Sequence, residues 1–200
     1  MTKKPKKPTA TLSVAVADVM KWQPCGWDRA DDGKNYTKSR VRKLFAGRER
    51  LTAMDILALE IPAKDCLWAV LREDLIDART LRLFACDCED QDLARRKKKG
   101  ETIRLKDRAA IRVSRRYANG KATLRELDAA RNAAWNTARG AAWAAAWTAA
   151  WAAAGDAAWA AAGDAAGYAA RYAAWAAAWA TEREWQVCHL RTMLKKEGYK

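Results

Sequence analysis

One short stretch in the last quarter of the chain carries side chains that could bind an anion. At helical spacing its members fall on one face, at i, i+3, i+4, i+7 and i+11: Tyr168, Arg171, Tyr172, Trp175 and Trp179. Arginine pairs with phosphates and aromatic rings stack on bases, so this face predicts a site for an anionic small molecule or nucleotide. An internal ion pair of Arg171 with Asp164 or Asp156 is the competing structural explanation.

A second group of side chains could bind phosphates because it is basic. Its members are Arg95, Arg96, Lys97, Lys98, Lys99, Arg112, Arg115 and Arg116. The chain carries a net charge of +14, which favours anionic partners such as nucleic acid. Cations near the end of a helix also stabilise that helix, and charges flanking an apolar segment keep it soluble, so both structural explanations stay open.

The residue types needed for catalysis or metal binding are sparse. The sequence has one histidine, His189, and five cysteines, and it contains no phosphate-binding loop, serine-hydrolase or zinc-protease motif. Cys86 and Cys88 are two apart on a predicted helix and therefore face different directions. We expect no enzyme activity, no metal site and no cofactor. The odd cysteine count and the absence of an apolar leader predict a cytoplasmic protein.

Helices must position these side chains, because alanine dominates the second half of the sequence. Eight of the 11 tryptophans lie between Trp135 and Trp185, where alanine fills most other positions. Alanine is the best helix former and lets helix axes approach closely, while tryptophan fills the space opposite. No alternating β-branched run is long enough to predict a strand. The sequence predicts an all-α fold, an Ala/Trp-rich helical bundle of close-packed long helices with a short irregular N-terminal segment.

The Ala/Trp tract does not predict a membrane span. Its longest charge-free run, from Gly140 to Gly155, is shorter than the ~20 residues that a spanning helix needs. Asp156 and Asp164 interrupt the residues that follow. Alanine and tryptophan exposed on helix faces would instead favour contacts between copies, so we expect a homo-oligomer.

Composition divides the chain into three parts. Residues 1–12 predict a disordered basic tail, residues 13–50 a loop with short helices, and residues 51–198 a helical bundle with one core. Within the N-terminal part, Trp22 and Trp27 are expected to dock their loop onto the helical body.

Start and stop signals predict several helix boundaries. Thr52 with Asp55 is typical of an N-cap, and Thr123 with Glu126 forms a T-x-x-E capping box. Asp77 is a further predicted N-cap. Glycines after basic turns predict helix ends at Gly100 and at Gly120.

Three sequence segments together resemble an uncharacterised Ala/Trp-rich family of bacteriophage and prophage proteins. They read MKWQPCGWD, SRVRKLFAGRERLTAMDILALEIPAKDCLWAVLRE and AWATEREWQ. The resemblance covers most of the chain from Met20 to Leu194. The alanine-rich half is also similar, by composition, to a helical family of immunity proteins. Neither resemblance supplies catalytic or binding residues.

The resemblance implies a phage accessory protein that acts in the cytoplasm of a bacterial host. Combined with the Arg171 face, it predicts a non-enzymatic protein that sequesters an anionic ligand, such as a nucleotide immune signal, and so counters bacterial defence. Two alternatives stay open: a nucleic-acid-binding protein that uses its basic helices, and an immunity-like or structural protein-interaction module.

Overall fold

The computed structural model describes residues 12–28, 35–103, 105–130 and 176–200, and these are mostly helical. The elements in chain order are β1 (Ser13–Ala15), α1 (Val16–Lys21), α2 (Lys38–Phe45), β2 (Arg50–Thr52), α3 (Ala53–Leu57), α4 (Ala63–Val70), α5 (Ala78–Lys98) and α6 (Leu105–Ala118). Residues 124–130 and 176–197 are also helical and are called α7 and α8. The predicted all-α class is confirmed, with one small sheet added to it.

The sheet consists of two antiparallel strands of three residues each. Val14 pairs with Leu51, and both side chains are buried. Successive side chains of a strand point to opposite faces of the sheet, so the middle residue of each strand faces the core and its two neighbours face the other way. On the exposed side, Arg50 Nε donates a hydrogen bond to Ser13 Oγ at 2.9 Å. Strands this short contain too few alternations to be visible in the sequence.

The described residues belong to two compact units. Unit 1 is Met1–Leu81 with Val187–Lys200, and unit 2 is Arg82–Gln186. Unit 1 thus joins the N-terminal segment with residues after position 50 and with the C-terminal residues. The predicted three-part division stays a prediction. Helices α5 and α8 each contribute to both units.

Each unit has its own buried side chains. The large buried apolar side chains of unit 1 include Val14, Val41, Phe45, Leu51, Ile56, Leu57, Leu67, Val70, Leu75, Ile76, Leu190 and Leu194. In unit 2, Cys86, Leu93 and Ile111 form a buried cluster, against which Ile103 packs. Burial of these side chains is the main force that holds α5 against α6.

Side-chain caps begin three of the helices, as the sequence predicts. The amide of Asp55 donates to Thr52 Oγ1 at 3.2 Å, and the amide of Thr52 donates to Asp55 Oδ2 at 2.8 Å. Thr123 and Glu126 make the same reciprocal pair at the start of α7. Before α5, the amide of Thr80 donates to Asp77 Oδ1 at 3.0 Å.

Glycines with positive φ end the two long helices of unit 2. Gly100 follows α5 with φ 82° and Gly120 follows α6 with φ 66°. Both predicted helix ends are confirmed, since a residue without Cβ adopts this left-handed conformation at no steric cost.

Among the helices of the described residues, none is both long enough and apolar enough to cross a membrane.

Candidate functional site

The predicted anion-binding face lies almost entirely outside the described residues. Tyr168, Arg171, Tyr172 and Trp175 are not among them, and neither are the aspartates that could pair with Arg171. Trp179, the remaining member, lies on α8 with 47 % of its surface exposed. The guanidinium of Arg183 lies 5.4 Å from the centroid of the Trp179 ring. The predicted site therefore stays a prediction.

The basic cluster at the end of α5 divides into paired arginines and exposed lysines. Arg95 Nη1 forms an ion pair with Glu182 Oε2, and Arg96 Nε lies 2.8 Å from Glu101 Oε2. The side chains of Lys97, Lys98 and Lys99 are all exposed. The two arginines thus hold neighbouring segments of unit 2 together, and only the lysines are presented fully to solvent.

Arg115 bridges α6 to α5. Its Nη2 lies 2.7 Å from Asp87 Oδ1 and 2.5 Å from Asp90 Oδ2. Burial alone would lower the pKa of Arg115, but the hydrogen bonds to Asp90 and Asp87 outweigh it and raise that pKa. A guanidinium with two carboxylate partners is already neutralised, so Arg115 braces the two helices and is a poor phosphate ligand.

Three exposed arginines form a regularly spaced charged surface on α6, next to Arg115. Arg108, Arg112 and Arg116 are all exposed, and they recur at i, i+4 and i+8. Residues four apart on a helix lie about 6 Å apart along its axis and on nearly the same side. We call this surface the α6 arginine face. Arg112 and Arg116 were predicted phosphate ligands; Arg108 was missed, although helical spacing alone would have added it.

Arg116, at the C-terminal end of the α6 arginine face, makes two contacts within the protein. Arg116 Nη2 donates a hydrogen bond to the Lys121 carbonyl at 2.9 Å and lies 3.5 Å from Glu126 Oε1. More than half of the Arg116 side chain remains exposed. An exposed pair at 3.5 Å is weak, so a phosphate can compete with Glu126 for the guanidinium.

A cavity of about 280 Å³ lies in unit 1. Its walls are apolar side chains from α1, α2, β2, α3 and α4, including Val41, Phe45, Leu51 and Ile56. Polar groups line one part of it: Lys64, Asp65 and Tyr36. We call this space the unit 1 cavity. No residue pattern in the sequence predicts this cavity, because a cavity is space left by imperfect packing.

The polar part of the unit 1 cavity contains a hydrogen-bonded pair. Tyr36 donates its hydroxyl proton to Asp65 Oδ2 at 2.8 Å, across 29 residues of sequence. Burial, followed by the hydrogen bond to Asp65, raises the pKa of Tyr36 well above its ordinary value. The phenol is therefore neutral at physiological pH and remains a hydrogen-bond donor.

Two tryptophans and an arginine form a cluster beside the cavity. The rings of Trp22 and Trp68 meet edge to face with centroids 6.3 Å apart. The guanidinium carbon of Arg72 lies 4.2 Å from the Trp22 centroid and 4.6 Å from the Trp68 centroid. Trp22 thus docks its loop as predicted, whereas the ring of Trp27, expected to dock beside it, is 42 % exposed.

The cysteines in the described residues are free thiols. Burial raises the pKa of Cys66 and of Cys88 to about 11, so neither is a thiolate at neutral pH. Within the part of the chain that the structure describes, no group of three His, Cys, Asp or Glu side chains could hold a metal ion.

Comparisons with protein-family models, with curated proteins and with solved structures found no match to this chain.

Proposed function

We propose that the protein binds nucleic acid through the α6 arginine face and performs no chemistry on it. The observation that carries the proposal is the register of Arg108, Arg112 and Arg116, three exposed guanidiniums repeating every four residues on one side of a 14-residue helix. Guanidiniums spaced in this way can contact successive phosphates of one strand.

The packing of α6 against α5 supports the same proposal. Ile111 and Ala118 are buried, and Arg115 is fixed between two aspartates of α5. These contacts hold the helix against α5, while Arg108, Arg112 and Arg116 stay exposed to a partner. A helix anchored before it binds loses less conformational entropy than a flexible basic tail would.

The net charge of +14 adds a long-range attraction that brings any polyanion toward the protein. This attraction does not distinguish base sequences, and contacts to phosphates position a protein without reading bases. The proposed binding is therefore independent of base sequence and strongly dependent on salt.

The salt dependence gives a quantitative expectation. Each phosphate contact contributes about −0.9 to the slope of log K against log salt on duplex DNA, so three contacts give about −2.7. Between 50 mM and 200 mM salt the affinity should then fall roughly 40-fold.

The test uses fluorescence anisotropy with the full chain and a labelled duplex of about 20 base pairs, titrated across this salt range. The variant Arg108→Gln, Arg112→Gln, Arg116→Gln should lose most of the binding and most of the salt slope. The matched control removes the same charge at Lys97, Lys98 and Lys99, whose adjacent positions point in different directions. Equal losses in the two triple variants, or no loss in the arginine variant, would refute the α6 arginine face.

The second candidate is capture of a small anionic ligand, such as a nucleotide immune signal, by the face from Tyr168 to Trp179. The exposed ring of Trp179 supports it, since a stacking side chain must be accessible. Calorimetry with a panel of nucleotides tests this candidate. Absence of any saturable heat, or unchanged binding by Arg171→Ala, would contradict it.

A protein-interaction role, as an immunity-like module or a homo-oligomer, is a third candidate. It rests on the Ala/Trp composition and the resemblance, as do the phage origin and the location in a bacterial cytoplasm. Light scattering at several concentrations checks the homo-oligomer, and a constant monomer mass would exclude it.

A further inference from the structure

We infer that the unit 1 cavity is a binding site for a small, neutral, largely apolar molecule that carries a hydroxyl group. This inference is independent of the α6 arginine face, which belongs to unit 2. It rests on the volume of the cavity, the chemistry of its walls and the polar pair at one part of it.

The volume sets the size of the ligand. An apolar cavity of about 150 Å³ accepts benzene, so about 280 Å³ accommodates a molecule of roughly eleven non-hydrogen atoms. A fused two-ring aromatic alcohol has this size. The unit 1 cavity is therefore too small for a nucleotide, so its ligand differs from the nucleotide proposed for the face from Tyr168 to Trp179.

The walls set the polarity of the ligand. Val41, Phe45, Leu51 and Ile56 are each at most 3 % exposed and offer only carbon atoms to the cavity. Water in such a space finds few hydrogen-bond partners, so an apolar ligand that displaces it gains affinity.

The polar pair sets the head group. Asp65 accepts a hydrogen bond from Tyr36, and within the described residues no other side chain donates to it. A ligand hydroxyl can donate to this carboxylate and accept from the exposed Lys64, which lines the same space. A ligand with a full charge would lose hydration on entering this largely apolar space, and attraction to Lys64 or Asp65 would offset that cost only in part. A neutral hydroxyl has a much smaller desolvation cost.

A route into the cavity is available from the surface. Trp68 lines the cavity and is 41 % exposed, and Cys25, which also lines it, is exposed. A ligand can thus enter beside α4 without unfolding of the core.

Isothermal titration calorimetry of the full chain with 2-naphthol tests the inference, with 2-naphthoate and naphthylmethylammonium as charged analogues of the same ring. We expect one 2-naphthol site with Kd below about 1 mM, and binding at least tenfold weaker for each charged analogue. Absence of a saturable site for 2-naphthol, or equal affinity for either charged analogue, would overturn the inference.

A cavity-filling variant locates the site. Ala69 lines the cavity on α4, so Ala69→Leu should weaken 2-naphthol binding at least tenfold without lowering the unfolding temperature. Ala69→Met, with a more adaptable side chain, repeats the test if the leucine variant does not fold. The matched control is Ala94→Leu, at an exposed position on α5, which should leave binding unchanged. Unchanged binding in a folded Ala69 variant would place the ligand elsewhere and refute the proposal.

Discussion

The hydroxyl of Tyr199 ties the C-terminal segment to the start of α5, and removing it should measurably destabilise unit 1. Tyr199 donates a hydrogen bond to Asp77 Oδ2 at 2.6 Å and accepts one from the Asp77 amide at 3.1 Å. The substitution Tyr199→Phe deletes both hydrogen bonds and keeps the ring. We expect it to lower the free energy of unfolding by about 2 kcal/mol.

The magnitude follows from the character of the two hydrogen bonds. A hydrogen bond to a charged group contributes about 1.5–3 kcal/mol and one between neutral groups about 1 kcal/mol. Both Asp77 and Tyr199 are half-buried, so water partly replaces the lost hydroxyl in the variant. Asp77 also keeps its hydrogen bonds from the amide and hydroxyl of Thr80, at 3.0 Å and 2.8 Å. The loss therefore stays below the sum of the two full contributions.

The pH dependence of this contribution has a definite sign. Burial alone would raise the pKa of Asp77, but hydrogen bonds from Tyr199 and Thr80 outweigh it and lower that pKa below its ordinary 3.8. The stabilisation is thus complete above pH 3.8 and is lost as the pH falls through the folded pKa. Burial, and then the hydrogen bond to Asp77, raises the pKa of Tyr199 above 10. The stabilisation that comes from the Tyr199 hydroxyl is complete below pH 10 and is lost as the pH rises through the pKa of Tyr199 in the folded protein.

Urea titrations followed by circular dichroism give the free energies of both proteins, and an unchanged m value shows that they unfold comparably. Tyr117→Phe is the control, because the Tyr117 ring packs under Arg82 and its hydroxyl makes no hydrogen bond to a described residue. The reasoning would be refuted if Tyr199→Phe destabilised no more than Tyr117→Phe. It would also be refuted if the difference from the wild type did not become smaller as the pH is lowered through the titration of Asp77.

Three further predictions concern single side chains. Leu194→Ala should lower the free energy of unfolding by about 2–5 kcal/mol in urea titrations, because its fully buried side chain leaves a cavity; a loss below about 1 kcal/mol would show that the site collapses. Arg115→Met should lower the free energy of unfolding by about 1–2 kcal/mol at low salt and by less at 1 M salt, because Asp87 and Asp90 then lose the cation between them. A loss that does not depend on salt would assign the effect to packing. Thr52→Ala should lower the free energy of unfolding by about 1 kcal/mol, whereas Thr52→Ser should lose much less because its hydroxyl oxygen still accepts the hydrogen bond from the Asp55 amide. Equal stability of the two variants in thermal unfolding would show that the cap does not contribute.

Local signals in the sequence predicted the helix boundaries well, because the atoms involved are close along the chain. The caps at Thr52, Asp77 and Thr123 each need a partner only three residues away. The glycines after α5 and α6 act through their own backbone conformation. These features require no knowledge of tertiary contacts.

Features that depend on distant contacts could not be predicted in the same way. The pairing of Val14 with Leu51 joins strands too short to show a pattern. Arg115 was a predicted phosphate ligand because it is basic, yet its aspartate partners lie 25 and 28 residues earlier on another helix. The unit 1 cavity required knowing how five elements pack. In each case contacts between elements that are distant in the sequence decided the outcome, and composition did not.

The participation of α8 in the core of unit 1 has a consequence for the order of events on the ribosome. Leu190 and Leu194 are fully buried, and Arg191 donates a hydrogen bond to the carbonyl of Leu57, 134 residues earlier. Synthesis proceeds from the N-terminus, so every residue of unit 2 leaves the ribosome before these side chains do. The end of α3 therefore lacks this C-terminal partner until translation is nearly complete. Variants with stop codons after residue 186 lack Leu190, Arg191 and Leu194, and we expect them to leave part of the unit 1 core exposed to chaperones.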